Sequence, residues 1–310
     1  MNENTFGDAH VVIILPTYNG ARYLGCQLDS ILNQSWSNLD IYIRDDGSTD
    51  NTVSIIRDYA SSHSQIHFIE DDLGNLGCPS SFYQIIRSSP ASDFYAFADQ
   101  DDVWNADKVE RALRGLSELR RGAPAVYYSS FTYVDTNGRI IREAAPQEPD
   151  TPLLHTLFYT PGLGFTIVFN RVACEQFILD VDPGFEMHDR WLLRCASAFG
   201  SVICDPTSTA QHIRHDDAVT AGDNKHLDLV RYFLKEELLG TRSKKESEKL
   251  SHFYEVFQDR MTDSDRQILE LFASKNDIIS RLKKVFYPKS LRPTKAGDFV
   301  LRVLFLFGRA

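Results

Sequence analysis

The chain has few cysteines, and they are not arranged in pairs. The 310 residues include only five, with no C-x-x-C pair: Cys26, Cys78, Cys174, Cys195 and Cys204. Disulfide-rich secreted domains and zinc ribbons need closely spaced cysteines, so neither framework is expected. We expect buried thiols in a protein of a reducing compartment, that is, a cytoplasmic one.

Long apolar runs are also missing. No stretch approaches the ~20 apolar residues that a membrane-spanning helix needs. Residues 1–10 are polar and carry no apolar core, which predicts that no cleavable signal precedes the first strand.

Two phosphate-binding fingerprints are absent. The sequence contains no G-x-x-x-x-G-K-[ST] and no G-x-G-x-x-G after the first strand, which excludes the P-loop and the dinucleotide fold. The net charge of −10 argues against a nucleic-acid partner. That charge is uneven, because residues 281–310 carry eight basic side chains and one acidic side chain. This asymmetry predicts a basic tail with a partner of its own.

A strand–loop–helix pattern repeats through the first half of the chain. Val11–Leu15 is a continuous apolar run of the kind buried on both faces of a parallel sheet, and apolar residues at helical spacing follow it. The pattern returns at residues 39–60, 66–86 and 94–119. Four such units predict an α/β fold with a doubly wound, mostly parallel sheet.

Polar loops follow three of these strands. They are Pro16–Asn19, Asp45–Asp50 and Asp99–Asp102. Each loop alone could be a helix cap or a solvated turn. The carboxyl ends of parallel strands lie at one edge of a sheet, so three polar loops there favour a ligand cleft. Mg²⁺ takes carboxylate oxygens and substrate phosphates, so Asp99 and Asp101 predict a clamp for a metal-bound diphosphate.

The second half supplies candidates for the acceptor side. Gly162 and Gly164 open a predicted strand, Gly162–Phe169, and would let a backbone come close to a ligand. Asp189 lies in the first turn of a predicted helix. It is either a charge that the helix dipole favours or a general base that deprotonates an acceptor hydroxyl.

A polar cluster follows at His212–Gly222. Histidine is a common metal ligand and arginine binds phosphate well, so Arg214 and His215 are candidates for such contacts. The alternative is a loop that faces solvent.

In this order the motifs resemble those of the inverting, GT-A type family 2 glycosyltransferases, over roughly residues 9–220. The matching signatures are Pro16-Thr17-Tyr18-Asn19, Asp45-Asp46-Gly47-Ser48-Thr49-Asp50 and Asp99-Gln100-Asp101-Asp102. The resemblance implies that a nucleotide sugar is bound by Pro16, Thr17, Tyr18, one of Asp45 and Asp46, Asn75, Gly77 and Asp99. It implies a divalent metal, Mn²⁺ or Mg²⁺, bound by Asp99, by Asp101 as the more direct ligand, and by His215.

The resemblance also assigns the reaction chemistry. Asp189 corresponds to the general base, although the acid that usually precedes it in the family is replaced here by His188. Contacts with the acceptor or with the donor sugar are expected from Trp104, His188, Arg190 and Trp191.

Residues 97–104, 188–191 and 214–222 look most like the rhamnosyltransferase-like branch, which builds bacterial surface polysaccharide on a lipid carrier at the cytoplasmic membrane face. This implies a dTDP-L-rhamnose donor and a lipid-linked or oligosaccharide acceptor. A UDP-hexose or UDP-N-acetylhexosamine transferase of the same fold is the alternative. Two further hypotheses are a non-catalytic nucleotide-sugar-binding module and a scaffold that acts through its tail.

The pattern divides the chain into a catalytic domain, residues 1–225, and a helical basic extension, residues 226–310. Phe299–Phe307 is apolar nearly all round and has basic flanks, which predicts an anchor at the surface of an anionic membrane. The alternative is that this segment packs on the catalytic domain or on a second copy in a homodimer.

Overall fold

The computed structural model describes residues 7–119, 122–144, 152–184, 186–214, 242–273 and 277–308. Contacts divide these residues into two compact units. The first unit contains residues 7–119, 122–144, 161–184, 186–196 and 200–214. The second unit contains residues 152–160, 197–199, 242–273 and 277–308.

The described residues form the following strands and helices. The strands are β1 (Val11–Thr17), β2 (Leu39–Asp45), β3 (Ile66–Ile69), β4 (Phe94–Phe97), β5 (Asp102–Trp104), β6 (Ala125–Val134), β7 (Ile140–Glu143), β8 (Ile167–Asn170) and β9 (Ser201–Ile213). The helices are α1 (Leu24–Leu32), α2 (Thr52–Ser62), α3 (Ser80–Ser88), α4 (Lys108–Ser117), α5 (Leu153–Thr156), α6 (Arg171–Cys174), α7 (His188–Phe199), α8 (Arg242–Phe257), α9 (Asp263–Ala273), α10 (Ile278–Val285) and α11 (Lys295–Leu306).

The strands form one mixed sheet in the order β3-β2-β1-β4-β8-β6-β9-β5, with β7 beside β6. The first four are parallel neighbours, as the repeated strand–helix pattern predicts. Beyond them β8 pairs antiparallel with both β4 and β6, so the second half of the sheet is not parallel throughout. The predicted strand Gly162–Phe169 is shorter than expected, because Gly164–Thr166 forms a 3₁₀ turn before β8.

Strand β1 lies in the interior of the protein. All of Val11–Leu15 is 0% exposed. Alternate side chains of a strand point to opposite faces, so both faces of β1 are covered. One face joins a cluster with the apolar side of α1, including Leu24, Leu28 and Ile31. A strand packed in this way holds the loop at its carboxyl end in a fixed position.

The second unit is helical and has its own aromatic core. Phe305 of α11 packs its ring against Phe158 and Phe272, with ring centroids 5.4 Å and 5.6 Å apart. The middle of the predicted membrane anchor is therefore engaged in packing, while Phe299 and Phe307 remain exposed. No helix within the described ranges is long and apolar enough to cross a membrane.

Candidate active site

The loops after β1 and β2 are tied together at the carboxyl edge of the sheet. Thr17 lies opposite Asp45 in the ladder, and its hydroxyl donates to the Asp45 carboxylate at 2.9 Å. The same carboxylate accepts from the backbone N–H of Gly47 and from both the N–H and the hydroxyl of Ser48. Gly47 has φ +88, a conformation that favours glycine. The Asp45 carboxylate therefore holds the turn that follows it and joins this turn to the end of β1.

The side chain of Asp46 is turned inward and is only 5% exposed. Its carboxylate accepts from the N–H groups of Leu76 and Gly77, both at 2.7 Å, and from the Arg44 guanidinium at 2.6 Å. Arg44 itself is 1% exposed and also binds the Asp71 carboxylate through two hydrogen bonds. Asp46 thus holds the loop that contains the predicted pocket residues.

The remaining predicted nucleotide residues lie around this edge. Pro16 is the next-to-last residue of β1 and lies opposite Arg44, and Tyr18 is 50% exposed just beyond the strand. Asn75 belongs to the loop that Asp46 holds, and it lies close to Gly47. A Cβ added to Gly47 would be about 4 Å from the backbone nitrogen and the Cβ of Asn75. The structure brings the three predicted loops together.

A cluster of carboxylates occupies the end of β4. Removal from water raises the pKa of Asp99 well above its ordinary value, and three nearby carboxylates raise it further. These are the carboxylates of Asp102, Asp101 and Asp189. Like charges gathered in this way disfavour ionisation unless a cation neutralises them. Asp189, the predicted base, is thus near enough to Asp99 for its charge to affect the pKa of Asp99.

The chemistry of this donor set fits a divalent metal. Asp99 and Asp101 would supply hard carboxylate oxygens, and the diphosphate of a donor would supply the rest. Within the ranges that the structure describes, no group of three or more His, Cys, Asp or Glu side chains is placed to hold a metal ion. His215, the predicted third ligand, lies outside the described residues.

Asp189 lies in the first turn of α7, where its carboxylate accepts from the N–H of Arg190 at 2.7 Å. Burial raises the pKa of Asp189, and the charge of Glu186 adds to this, while the charge of Arg190 opposes it. A carboxylate with a raised pKa is a stronger base than an ordinary one. The Arg190 side chain is 17% exposed, and its guanidinium lies 4.0 Å from the Glu186 carboxylate.

Three of the four expected sugar contacts are instead buried in packing. Trp191 is 0% exposed and its indole N–H donates to the carbonyl of Phe177. Trp104 is 3% exposed and lies beneath the ammonium group of Lys108. A side chain without exposed surface does not reach a sugar, so for these two the expectation is corrected.

His188 is corrected in the same way. It is 4% exposed and its ring stacks on that of Phe82, with centroids 3.7 Å apart. Burial lowers the pKa of His188 to about 3, so the ring is neutral. Gly164 lies directly against this ring, and Gly162 lies against Tyr128. The two glycines therefore make room for side chains rather than for a ligand.

Sequence reasoning missed a buried ion pair beside the acid cluster. Asp102 is 0% exposed and its carboxylate binds Nδ1 of His212 at 2.7 Å across the β5–β9 ladder. Burial raises the pKa of Asp102 to about 6. Lys108, also 0% exposed, donates to the Thr209 hydroxyl at 3.3 Å, and burial lowers the pKa of Lys108 to about 7. Side chains alternate between the two faces of β9. Only this alternation, which points the His212 side chain inward, could have indicated the pair.

The amino-acid sequence matches a known protein family and several of its members. The model of the family described as Glycosyl transferase family 2 matches residues 12–174. The dTDP-rhamnosyl transferase RfbG of Shigella flexneri is 35% identical over 102 residues, which cover 32% of this chain and 35% of that protein. The UDP-Glc:alpha-D-GlcNAc-diphosphoundecaprenol beta-1,3-glucosyltransferase WfgD of Escherichia coli is 26% identical over 171 residues, 55% of this chain and 64% of that protein. The match thus spans less than two thirds of either relative.

Solved structures resemble the whole chain at low identity. The structure of S. aureus TarS 1-349 in complex with UDP-GlcNAc has a TM-score of 0.59 at 15% identity, covering 97% of this chain and 82% of that one. The mannosyltransferase PcManGT from Pyrobaculum calidifontis, in complex with GDP-Man and Mn²⁺, has a TM-score of 0.54 at 15% identity, covering 97% and 86%. These likenesses confirm the predicted fold.

Proposed function

Because the chain belongs to glycosyl transferase family 2, we propose that it is an inverting glycosyltransferase. It moves a sugar from a nucleotide-diphosphate donor to a hydroxyl of a lipid-linked glycan. The observation that supports this proposal is that the carboxylates of Asp101 and Asp189 both lie close enough to Asp99 for their charges to interact, which places a diphosphate clamp and a base in one site.

Asp189 performs the proton transfer. In transfer with inversion, the acceptor hydroxyl attacks the anomeric carbon from the face opposite the leaving diphosphate, and one group must take the hydroxyl proton. The raised pKa of Asp189, caused mainly by its burial, suits it to accept that proton. Its hydrogen bond from the Arg190 N–H fixes the carboxylate at the helix start.

Asp99 and Asp101 bind the donor at its diphosphate. A divalent metal held by them would neutralise charge on the diphosphate, so no acidic group would be needed to protonate the nucleotide diphosphate as it leaves. The loops around Thr17 and Asp45 bind the nucleoside, and the loop that Asp46 holds closes the pocket beside it.

The donor is dTDP-L-rhamnose in our first proposal. Its support is the match to the relative named as a dTDP-rhamnosyl transferase. A UDP-sugar is the second candidate, supported by the glucosyltransferase relative of E. coli and by the TarS likeness. With a lipid-linked acceptor, the protein works at the cytoplasmic face of the cell membrane as a peripheral protein.

The proposal is tested by calorimetric titration with dTDP-rhamnose, UDP-glucose, UDP-N-acetylglucosamine and GDP-mannose, each with Mn²⁺ and with EDTA. One donor should bind in the presence of Mn²⁺ and lose most of its affinity in EDTA. Asp101→Ala should abolish the Mn²⁺-dependent part of binding, whereas Asp107→Ala, an exposed acid at the start of α4, should not. Failure of every donor to bind would overturn the proposal. If a donor binds but its sugar is transferred to no acceptor, the protein is instead a non-catalytic nucleotide-sugar-binding module.

A further inference from the structure

Helix α10 presents an apolar face to solvent. Four large apolar side chains are exposed there: Ile278 (74%), Ile279 (67%), Leu282 (43%) and Phe286 (76%). Ile278, Leu282 and Phe286 are spaced four residues apart, and Ile279 lies three before Leu282, so the four share one side of the helix. We call this set the α10 face. Helices of soluble proteins usually bury such a stripe.

The opposite side of α10 carries a buried lysine, so the usual arrangement of a surface helix is reversed. Lys284 is 1% exposed, and its ammonium group lies 5.9 Å from the ring centroid of Phe305 on α11. In this helix the lysine is buried while the isoleucines and the phenylalanine are exposed. Such an arrangement favours contact with an apolar partner outside the chain.

This orientation is held by specific contacts at both ends of α10. The Asp277 carboxylate caps the start of the helix by accepting from the N–H groups of Ile279 and Ser280, each at 3.0 Å. At the other end, the Arg302 guanidinium donates to the carbonyl oxygens of Val285 and Tyr287 at 2.6 Å and 2.8 Å. The outward direction of the α10 face is therefore built into the second unit.

The surroundings of the α10 face are basic. Lys283 is exposed on α10 itself, and Lys289 and Lys295 are exposed in the residues that follow it. Residues 277–308 carry seven basic side chains, of which Lys284 is buried, against two acidic ones. The rest of the protein is strongly acidic, since the whole chain has a net charge of −10. An apolar centre with a basic rim matches the acyl chains and headgroups of an anionic bilayer.

A second copy of the chain fits this surface less well. A symmetric dimer places the same patch on both partners, so it would bring the two lysine rims together. Like charges at that distance repel, whereas anionic headgroups attract them.

We infer that the α10 face docks on an anionic lipid surface, with Ile278, Ile279, Leu282 and Phe286 entering the headgroup boundary. This differs from the sequence-based expectation, which assigned that contact to Phe299–Phe307. The centre of that segment is packed against α9 through Phe272. The inference deepens the proposed function, because it identifies the surface that reaches a membrane where a lipid-linked acceptor is found.

The test compares the full chain with the double variant Ile278→Ser/Phe286→Ser in sedimentation with vesicles. Phosphatidylglycerol–phosphatidylcholine vesicles are compared with pure phosphatidylcholine. The matched control is Ile140→Ser on β7, because Ile140 is 72% exposed in the first unit. We expect the unaltered chain and the control to bind the anionic vesicles, more weakly at high salt, and the double variant to bind at least about tenfold more weakly.

Other outcomes overturn the inference. Unchanged binding of the double variant would remove the α10 face from the contact. Absence of vesicle binding by the unaltered chain, or a dimer in solution that the double variant abolishes, would assign the face to another role. Donor binding is measured on the same samples without lipid, so a failure of the proposed function is seen separately.

Discussion

Gln100 holds the backbone of Tyr18 at two points. The N–H of Tyr18 donates to Oε1 of Gln100, and Nε2 of Gln100 donates to the carbonyl oxygen of Tyr18, each at 2.9 Å. Gly20 lies against the same amide, where an added Cβ would overlap it. The residue between the two acids of the predicted clamp therefore sets the spacing between the loop after β1 and the loop after β4.

Replacing Gln100 should weaken donor binding more than the chemical step. Gln100→Ala removes two hydrogen bonds of about 1 kcal/mol each, so we expect the Kd for the donor to rise about tenfold or more. The rate at saturating donor should change much less, because Asp189 is untouched. Calorimetry and initial rates check this split.

The control for Gln100 is Gln84→Ala on α3, where the side chain makes a hydrogen bond to Ser88 at 3.2 Å outside the site. Equal effects of the two substitutions on donor affinity would mean that Gln100 has no special role in positioning the loops.

The order of loops along the sheet edge was predictable because it depends on local patterns. Val11–Leu15 is continuous and apolar, which indicates a strand buried on both faces. Polar residues directly after such strands must lie at the carboxyl edge. The predictions for Thr17, Asp45 and Asp99 needed nothing beyond these two rules and the resemblance.

The direction of individual side chains was not predictable in the same way. His188 and Asp189 are neighbours in the first turn of α7, about 100° apart around the helix, so one enters the core while the other faces the acid cluster. Residue type alone does not decide which of the two side chains is buried in the core. Likewise Asp102 follows two predicted ligands, and only its pairing with His212 across the sheet makes its burial possible.

Gly164 provides a test of packing around His188. In Gly164→Ala the new Cβ would overlap Nε2 of His188, whose ring cannot move easily because it stacks on Phe82. We expect the free energy of unfolding to fall by about 1–3 kcal/mol. Denaturant unfolding measures this change.

Gly25→Ala is the matched control and should have the opposite sign. Gly25 lies in α1 with only an ordinary contact to the Tyr59 hydroxyl. Alanine in a helix is more stable than glycine by roughly 0.5–1 kcal/mol. A Gly164→Ala variant as stable as Gly25→Ala would contradict the packing described for His188.

The buried guanidinium of Arg44 should matter far more than an exposed one. Arg44→Met leaves the carboxylate of Asp46 buried without its cation, and breaking such a pair costs about 3–5 kcal/mol. Arg57→Met breaks an ion pair with Glu70 in which both side chains are about 60% exposed, and should cost at most about 1 kcal/mol. Unfolding in urea compares the two. Similar losses would contradict the role given to Arg44 in holding the pocket loop.

Asp189→Asn should separate binding from transfer. Asparagine keeps the size of the side chain but cannot take a proton, so we expect donor affinity to stay within about twofold and the transfer rate to fall by roughly 10²–10⁴. Asp180→Asn, an exposed acid in the same unit, is the matched control and should leave both unchanged. A fully active Asp189→Asn enzyme would remove the base assignment.

The pH profile tests the same assignment independently. The base acts in its ionised form, so the rate should fall as pH drops through the pKa of Asp189, and the raised pKa moves this acid limb to higher pH than for an ordinary carboxylate near about 3.9. The charge of Arg190 lowers that pKa, so Arg190→Gln should shift the limb further toward neutral pH. The rate of transfer at saturating donor and acceptor, measured against pH, gives the limb. If Arg190→Gln moves it toward acid or leaves it in place, the proton acceptor is another group.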